Sequence, residues 1–280
     1  MKPPIAVILS GLSLAACSLE VRGEHLHIVG STYTSSQEEM DALLEMGERF
    51  HADIAALHPA DTVFDPEVRV ELHGKFRSTS PYVDEEGTVH LWRFSEAEGG
   101  YRAMFAHELV HGVAFDAAAA SGATEWEGVG FYIEGWAEYV ALQVDPEKTG
   151  FPLFGYDEDV VVGHWLKHGG LPIATLRASH DELNMRCQGQ GYIMRASWYR
   201  YVDEELGHDV LLDLVAAKDG VGVDAVEAAL GQRLEEVDAD WAAWALARYD
   251  AHEGADAEAE AYRARISGWY EPCVIDDASE

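Results

Sequence analysis

Two short stretches carry the side chains best suited to chemistry. His107, Glu108 and His111 stand in FAHELVHGV (105–113), and Glu134 and Glu138 stand in FYIEGWAEYV (131–140). Two imidazoles four residues apart project from one face of a helix. Glu108 points obliquely toward the same zone, where it can sit beside a metal-bound water without being a ligand. A zinc site that does chemistry uses three protein ligands and keeps a fourth position open, so two histidines need a third partner. A histidine six residues after His111 is one route, but Ala117 occupies that position and Asp116 is one residue off register. The other route is a carboxylate from a following helix. Glu134 lies among Phe131, Ile133, Trp136 and Val140, an apolar setting in which a carboxylate is costly unless a cation or donor compensates it. Glu138, at i+4 from Glu134, would repel it in a purely structural helix. The pair makes sense as ligand and support, with Glu134 on the metal and Glu138 accepting the other N–H of a ligating histidine. Glu138 as ligand in place of Glu134 stays open at this point.

The elements that must position these residues follow from patterning. HLHIVG (25–30), VRVEL (68–72) and TVHLW (88–92) alternate as strands. SSQEEMDALLEMGERFHADIAAL (35–57) opens on a serine cap and continues at helical spacing through Met40, Leu43, Leu44 and Phe50. After Gly99-Gly100 the pattern is helical near 101–117, 131–144, 158–168, 190–206, 208–217, 222–230 and 234–249, with 117–130 as a linker. The acidic extension 251–280 reads as a helix followed by a loose end. A strand-rich first third before a helical remainder is α+β organisation: a small mixed-sheet lobe, then a mostly helical lobe, with the site between them.

Composition limits the partners. The 280 residues include 51 acidic and 19 basic ones, a net charge of −32, which offers no basic surface for nucleic acid or anionic lipid. The start, MKPPIAVILSGLSLAACSLE, has one early lysine, an apolar run from Ile5 to Ala16 too short to span a bilayer, and Leu14-Ala15-Ala16-Cys17. It resembles a bacterial lipoprotein signal, which implies cleavage before Cys17, a lipid on Cys17 and export to the cell envelope. Ser18, with no Asp after the cysteine, points by the same resemblance to the outer membrane. The lipid would be the only membrane contact. On this reading residues 1–16 are the signal, 17–24 a tether, 25–250 the domain and 251–280 the extension. Cys187 and Cys273 remain as an even pair in an oxidising compartment, which fits a bridge or two separate buried thiols.

His107-Glu-x-x-His111 followed by Tyr132-Ile-Glu134-Gly-Trp-Ala-Glu138-Tyr139 resembles the gluzincin zinc metallopeptidases, especially the bacterial peptidase-MA-like group with its WLxEGxAEY pattern. Thermolysin and the zinc aminopeptidases are more distant relatives. GYIMRASWYRYVDEELG (191–207) and GVDAVEAALGQRLEEVDADWAAWAL (222–246) are similar to later segments of that group, so the likeness spans roughly residues 25–250. It implies a thermolysin-like catalytic domain and one Zn2+ per chain on His107, His111 and Glu134. The zinc would bring its fourth-site water toward neutrality. Glu108 would take the proton of that water and pass it to the leaving amine. Tyr192 aligns with a catalytic tyrosine of the aminopeptidase relatives and would donate to the oxyanion; packing at a helix start is its plainer role. His164, His168, His180 and His208 read as structural or exposed. The likeness also makes TVHLW (88–92) the edge strand along which a peptide or protein substrate adds, with His90 and Trp92 otherwise mere pleat residues. The Gly-x-Met-Glu-Asn motif that holds a free amino terminus is absent, which favours an endopeptidase. The competing reading is a catalytically inactive lipoprotein that kept the scaffold as a binding or assembly module. Glu108 separates the two, because a purely structural metal site needs no carboxylate beside its open position.

Overall fold

The computed structural model describes residues 18–31, 35–58, 62, 64, 67–75, 81–93, 102–121, 130–145, 153–168, 188–217 and 223–266. The signal segment with Cys17, and also Cys187, Cys273 and His180, lie outside the described residues. The fold is α+β: a five-stranded sheet built near the N-terminus, followed by a helical remainder. The strands are β1 (Ser18–Arg22), β2 (Leu26–Ser31), β3 (Val68–Lys75), β4 (Tyr82–Val83) and β5 (Val89–Arg93), in the spatial order β1-β2-β3-β5-β4. β1 runs antiparallel to β2, β2 and β5 both run parallel to β3, and β4 is antiparallel to β5. Ser18–Arg22, within the segment expected as a tether, is thus an edge strand, held in full register from Ser18↔Ser31 to Arg22↔His27.

A parallel β2–β3 pair needs a crossover, and helix α1 (Gln37–Ala56) supplies it. Its start is a capping box. The Glu39 amide donates to Ser36 Oγ at 3.2 Å and the Ser36 amide donates to Glu39 Oε2 at 2.9 Å, which satisfies two orphan amides of the first turn. Met40, Leu43, Phe50 and Ile54 are buried on the sheet side. Strand alternation then sorts the sheet faces. Val68, Val70, Leu72, Val89 and Leu91 point into the core, while Glu71, His73, His90 and Trp92 point outward and are only partly covered.

The inner face carries α2 (Arg102–Ser121), whose Phe105, Leu109 and Val113 are buried. Gly112 lets the helix sit this close: a Cβ there would stand 2.8 Å from Val89 Cγ2 and 3.1 Å from Val68 Cγ1. The helix continues to Ser121, so four residues assigned to the linker by patterning (118–121) are helical. Their alanines favour helix in the absence of a breaker. Helix α3 (Gly130–Val144) packs on α2, and α5 (Gln188–Tyr201) packs on α3. At the α3–α5 approach a Cβ on Gly135 would lie 2.9 Å from Arg195 Cβ and 3.0 Å from Tyr199 Cε2.

Helix α4 (Glu158–His168) precedes α5, whose last turn loosens into a π-helical stretch over Val202–Leu206, closed by Gly207 at φ 109°. Helices α6 (His208–Ala217), α7 (Val223–Leu230) and α8 (Leu234–Ala251) follow. Arg200 and Arg248 both reach Asp159, at 3.1 and 2.8 Å, tying α5 and α8 to α4. α9 (Ala255–Ile266), in the expected C-terminal extension, docks through Ala255 and Ala259 against Val160 and Tyr249. No helix among the described residues is long and apolar enough to cross a membrane.

Candidate metal centre

α2 and α3 bring together the three residues that sequence spacing singled out. His107 and His111 rise from one face of α2, and their Nε2 atoms stand 3.1 Å apart. Glu134, on the first turns of α3, places Oε2 3.1 Å from His107 Nε2 and 3.5 Å from His111 Nε2. Donors on a zinc ion at bond lengths near 2.1 Å in tetrahedral geometry lie about 3.3–3.4 Å from one another. The three atoms therefore span a triangle of the size of one tetrahedral face, and the group can hold a metal ion.

Glu138 takes the supporting place, one helical turn beyond Glu134. Its Oε2 lies 2.9 Å from His107 Nδ1. A carboxylate there accepts the Nδ1–H, which leaves the lone pair of Nε2 facing His111 and Glu134. Glu138 thus stands behind His107 and outside the three converging donor atoms. Without a cation, two imidazole lone pairs and a carboxylate would converge on one point. Either a proton or a metal ion must stand there.

The electrostatics agree with that requirement. Burial by itself would lower the His107 pKa, but hydrogen bonds to Glu134 and Glu138 and the Glu108 charge outweigh it and hold the ring well above its ordinary value. Burial would raise Glu134, yet the charge of His111 and the hydrogen bonds from both imidazoles hold it well below the usual carboxylate range. These opposite displacements describe a site that attracts positive charge strongly enough to take a proton when nothing else fills it. Zinc fits the donor set: two neutral imidazole nitrogens and one carboxylate oxygen, with a carboxylate-anchored ring behind them.

Glu108 is buried beside this group, and burial pushes its carboxyl above the ordinary range, with His107 and His111 pulling the other way. Tyr192, from the first turns of α5, sets its ring edge-on to His107 with centroids 5.3 Å apart. Burial and then the carboxylates Glu134, Glu108 and Glu138 hold its phenol well above its ordinary pKa, so it stays protonated. Arg195, one turn later on α5, is buried, and its charge acts on Glu134. Sequence reasoning passed over it; a cation at i+3 from Tyr192 was the available signal.

The remaining expectations divide. His164 packs near His168 and Tyr249, and His208 pairs with Asp203 at 2.8 Å, which gives both structural partners. β5 is not a free edge where a substrate strand was expected. The Asp84–Thr88 turn folds the chain back so that β4 pairs with Val89 and His90. A second trio, Glu71, His73 and His90, is also close enough to share an ion, and only His90 of these drew attention in the sequence. The signal it carried was histidines on the outward phase of two strands.

Neither the protein-family models nor the curated proteins contain a match to this chain.

Proposed function

We propose that the protein is a zinc-dependent endopeptidase with a gluzincin-type, thermolysin-like catalytic arrangement, carried on the bacterial envelope by a lipid on Cys17. The observation that bears most weight is the meeting of His107 Nε2, His111 Nε2 and Glu134 Oε2 within 3.5 Å of one another, with Glu108 buried alongside. The order of elements supports it as well: a sheet, a helix with both imidazoles, then a helix with the carboxylate.

A zinc ion in this place supplies Lewis acidity and makes water a better nucleophile near neutral pH. The chain's residues do the rest. Glu108 accepts the proton of the attacking water and returns it to the leaving amine. Glu138 fixes the His107 ring through Nδ1, so that Nε2 stays aimed at the site. Tyr192, neutral and beside the His107 ring, donates its hydroxyl to the developing oxyanion.

Glu108→Gln tests this reading against an inactive binding module. It should keep one zinc per chain by elemental analysis and lose cleavage of an unfolded protein substrate. Turnover equal to that of the parent protein would remove the proposed mechanism. A chelator should abolish cleavage by the parent protein, and added zinc should restore it.

A further inference from the structure

The outer face of the sheet carries a second convergence of imidazoles and carboxylates that the peptidase reading does not use. Glu71 and His73 share the outward phase of β3, and His90 lies on the same face of the neighbouring β5, directly across from Glu71. His73 Nε2 and His90 Nδ1 are 2.8 Å apart, and Glu71 Oε2 is 3.9 Å from His90 Nδ1. Behind His90, its other ring nitrogen, Nε2, lies 2.9 Å from Asp84 Oδ2. Asp84 is itself fixed, because its Oδ1 accepts the amides of Glu86 and Thr88 at 2.9 and 2.8 Å. Aromatic rings wall the group: Tyr82 stacks on His90 at 4.6 Å and Trp92 on His73 at 4.7 Å.

The geometry points to a second metal site, a zinc-class divalent ion held by Glu71, His73 and His90, with Asp84 orienting His90. The carboxylate behind His90 commits its Nε2 to donating and leaves Nδ1 as a lone pair. That lone pair faces His73 Nε2, with Glu71 Oε2 at 3.9 Å and the other Glu71 oxygen held by Arg69 at 2.7 Å, a looser version of the pattern that α2 and α3 build around His107. Without an ion, a proton on His73 Nε2 bridges the two rings, which accounts for the hydrogen-bond separation of 2.8 Å. An ion in place of that proton requires the rings to part to about 3.3–3.4 Å, a small rotation for partly exposed side chains. Two imidazoles and one carboxylate select zinc, copper or nickel over magnesium and calcium. The site lies on the face of the sheet opposite α2, so it does not share a bridging ligand with the first centre. Its ligands join β3 to β5, and Asp84 extends the connection to the β4–β5 turn, so a bound ion clips that corner of the sheet.

The test is a calorimetric titration of the chelator-stripped full chain with zinc chloride, in excess magnesium to suppress binding to the acidic surface. Two equivalents per chain are expected. The double variant His73→Gln/His90→Gln should bind one, and that remaining equivalent at the α2–α3 centre also reports that the variant is folded. Asp84→Asn, which keeps all three ligands, should weaken the second equivalent about 10–100-fold and leave the first unchanged. A single equivalent in the parent protein that the double variant retains would overturn the proposal. So would two equivalents in the double variant, or an Asp84→Asn protein with unaltered affinity for the second.

Discussion

The α2–α3 centre and the outer-face trio use the same parts, two imidazoles, one carboxylate opposite them and a second carboxylate behind one ring, but they are held by different kinds of structure. At the helical centre two of the converging side chains sit at i and i+4 on one element, and the third comes from a helix packed against it. On the sheet two groups sit at i and i+2, and the third comes from a parallel neighbour in register. Burial separates them more sharply. The difference lies in the carboxylates: the one behind the ring is 4% exposed at Glu138 and 30% at Asp84, and the one opposite the imidazoles is 19% exposed at Glu134 and 33% at Glu71. A buried carboxylate without compensation is expensive, and the helical centre has Glu108, Glu134 and Glu138 in one place. On the proposed reading, a cation there would serve folding as well as chemistry. On the sheet, water, the Asp84–His90–His73 hydrogen-bond chain and the Arg69–Glu71 ion pair satisfy the same groups, so an ion there would add a clip to an already stable corner.

That contrast sets the order of expected effects. The largest belongs to His107→Ala, which leaves Glu134 and Glu138 without their shared partner. It should abolish zinc binding at the helical centre and peptide cleavage, and cost about 3–5 kcal/mol in urea unfolding. A loss below about 1 kcal/mol would show that the burial argument overstates the difference between the two sites. Next comes Glu108→Gln, for which a fall in turnover of about 10²–10⁴-fold is expected with unchanged zinc content and a nearly unchanged melting curve. Glu138→Gln should weaken zinc at the helical centre by about 10–100-fold, measured by competition with a chromophoric chelator. Burial places the expected Glu138→Gln loss toward the upper end of that range and the Asp84→Asn loss toward its lower end, and equal effects would mean that orientation counts and burial does not.

Gly135→Ala addresses the packing that delivers Glu134. With Arg195 Cβ and Tyr199 closer than 3.1 Å to the added methyl, α3 and α5 must part, at an expected cost of about 1–3 kcal/mol with weaker zinc binding. The smallest effect should come from His90→Ala in zinc-free protein. It removes a partly exposed hydrogen-bonded ring, and its cost should be about 1–2 kcal/mol.

Much of the helical centre was legible because helical periodicity is local. The spacing of His107 and His111 sets their common face, and an acid among Trp136 and Val140 signals a compensating charge. Three of the five strands and most helix starts were legible for the same reason. The β1 strand was not, since Ser18–Arg22 reads as a short polar stretch and becomes a strand only through pairing with β2. The helical end of α2 was not, because 117–121 has neither an apolar stripe nor a stop signal. The inner position of β5 was not, because it depends on a two-residue strand, Tyr82–Val83, folding back on it. Glu71, His73 and Asp84 escaped notice because their meeting with His90 needs a strand register that links positions 17 residues apart.

By itself, the sequence determined which residues share a helix face or a strand face, and therefore that His107, His111 and a nearby acid were available together. The tertiary structure decided that the acid on the imidazoles is Glu134, that Glu138 supports His107, and that a similar trio exists on the sheet. The physical reason is range: backbone geometry fixes side-chain direction within an element. Which elements meet, and at what separation, is set by packing, here by the close approaches at Gly112 and Gly135 and by the register of β3 with β5.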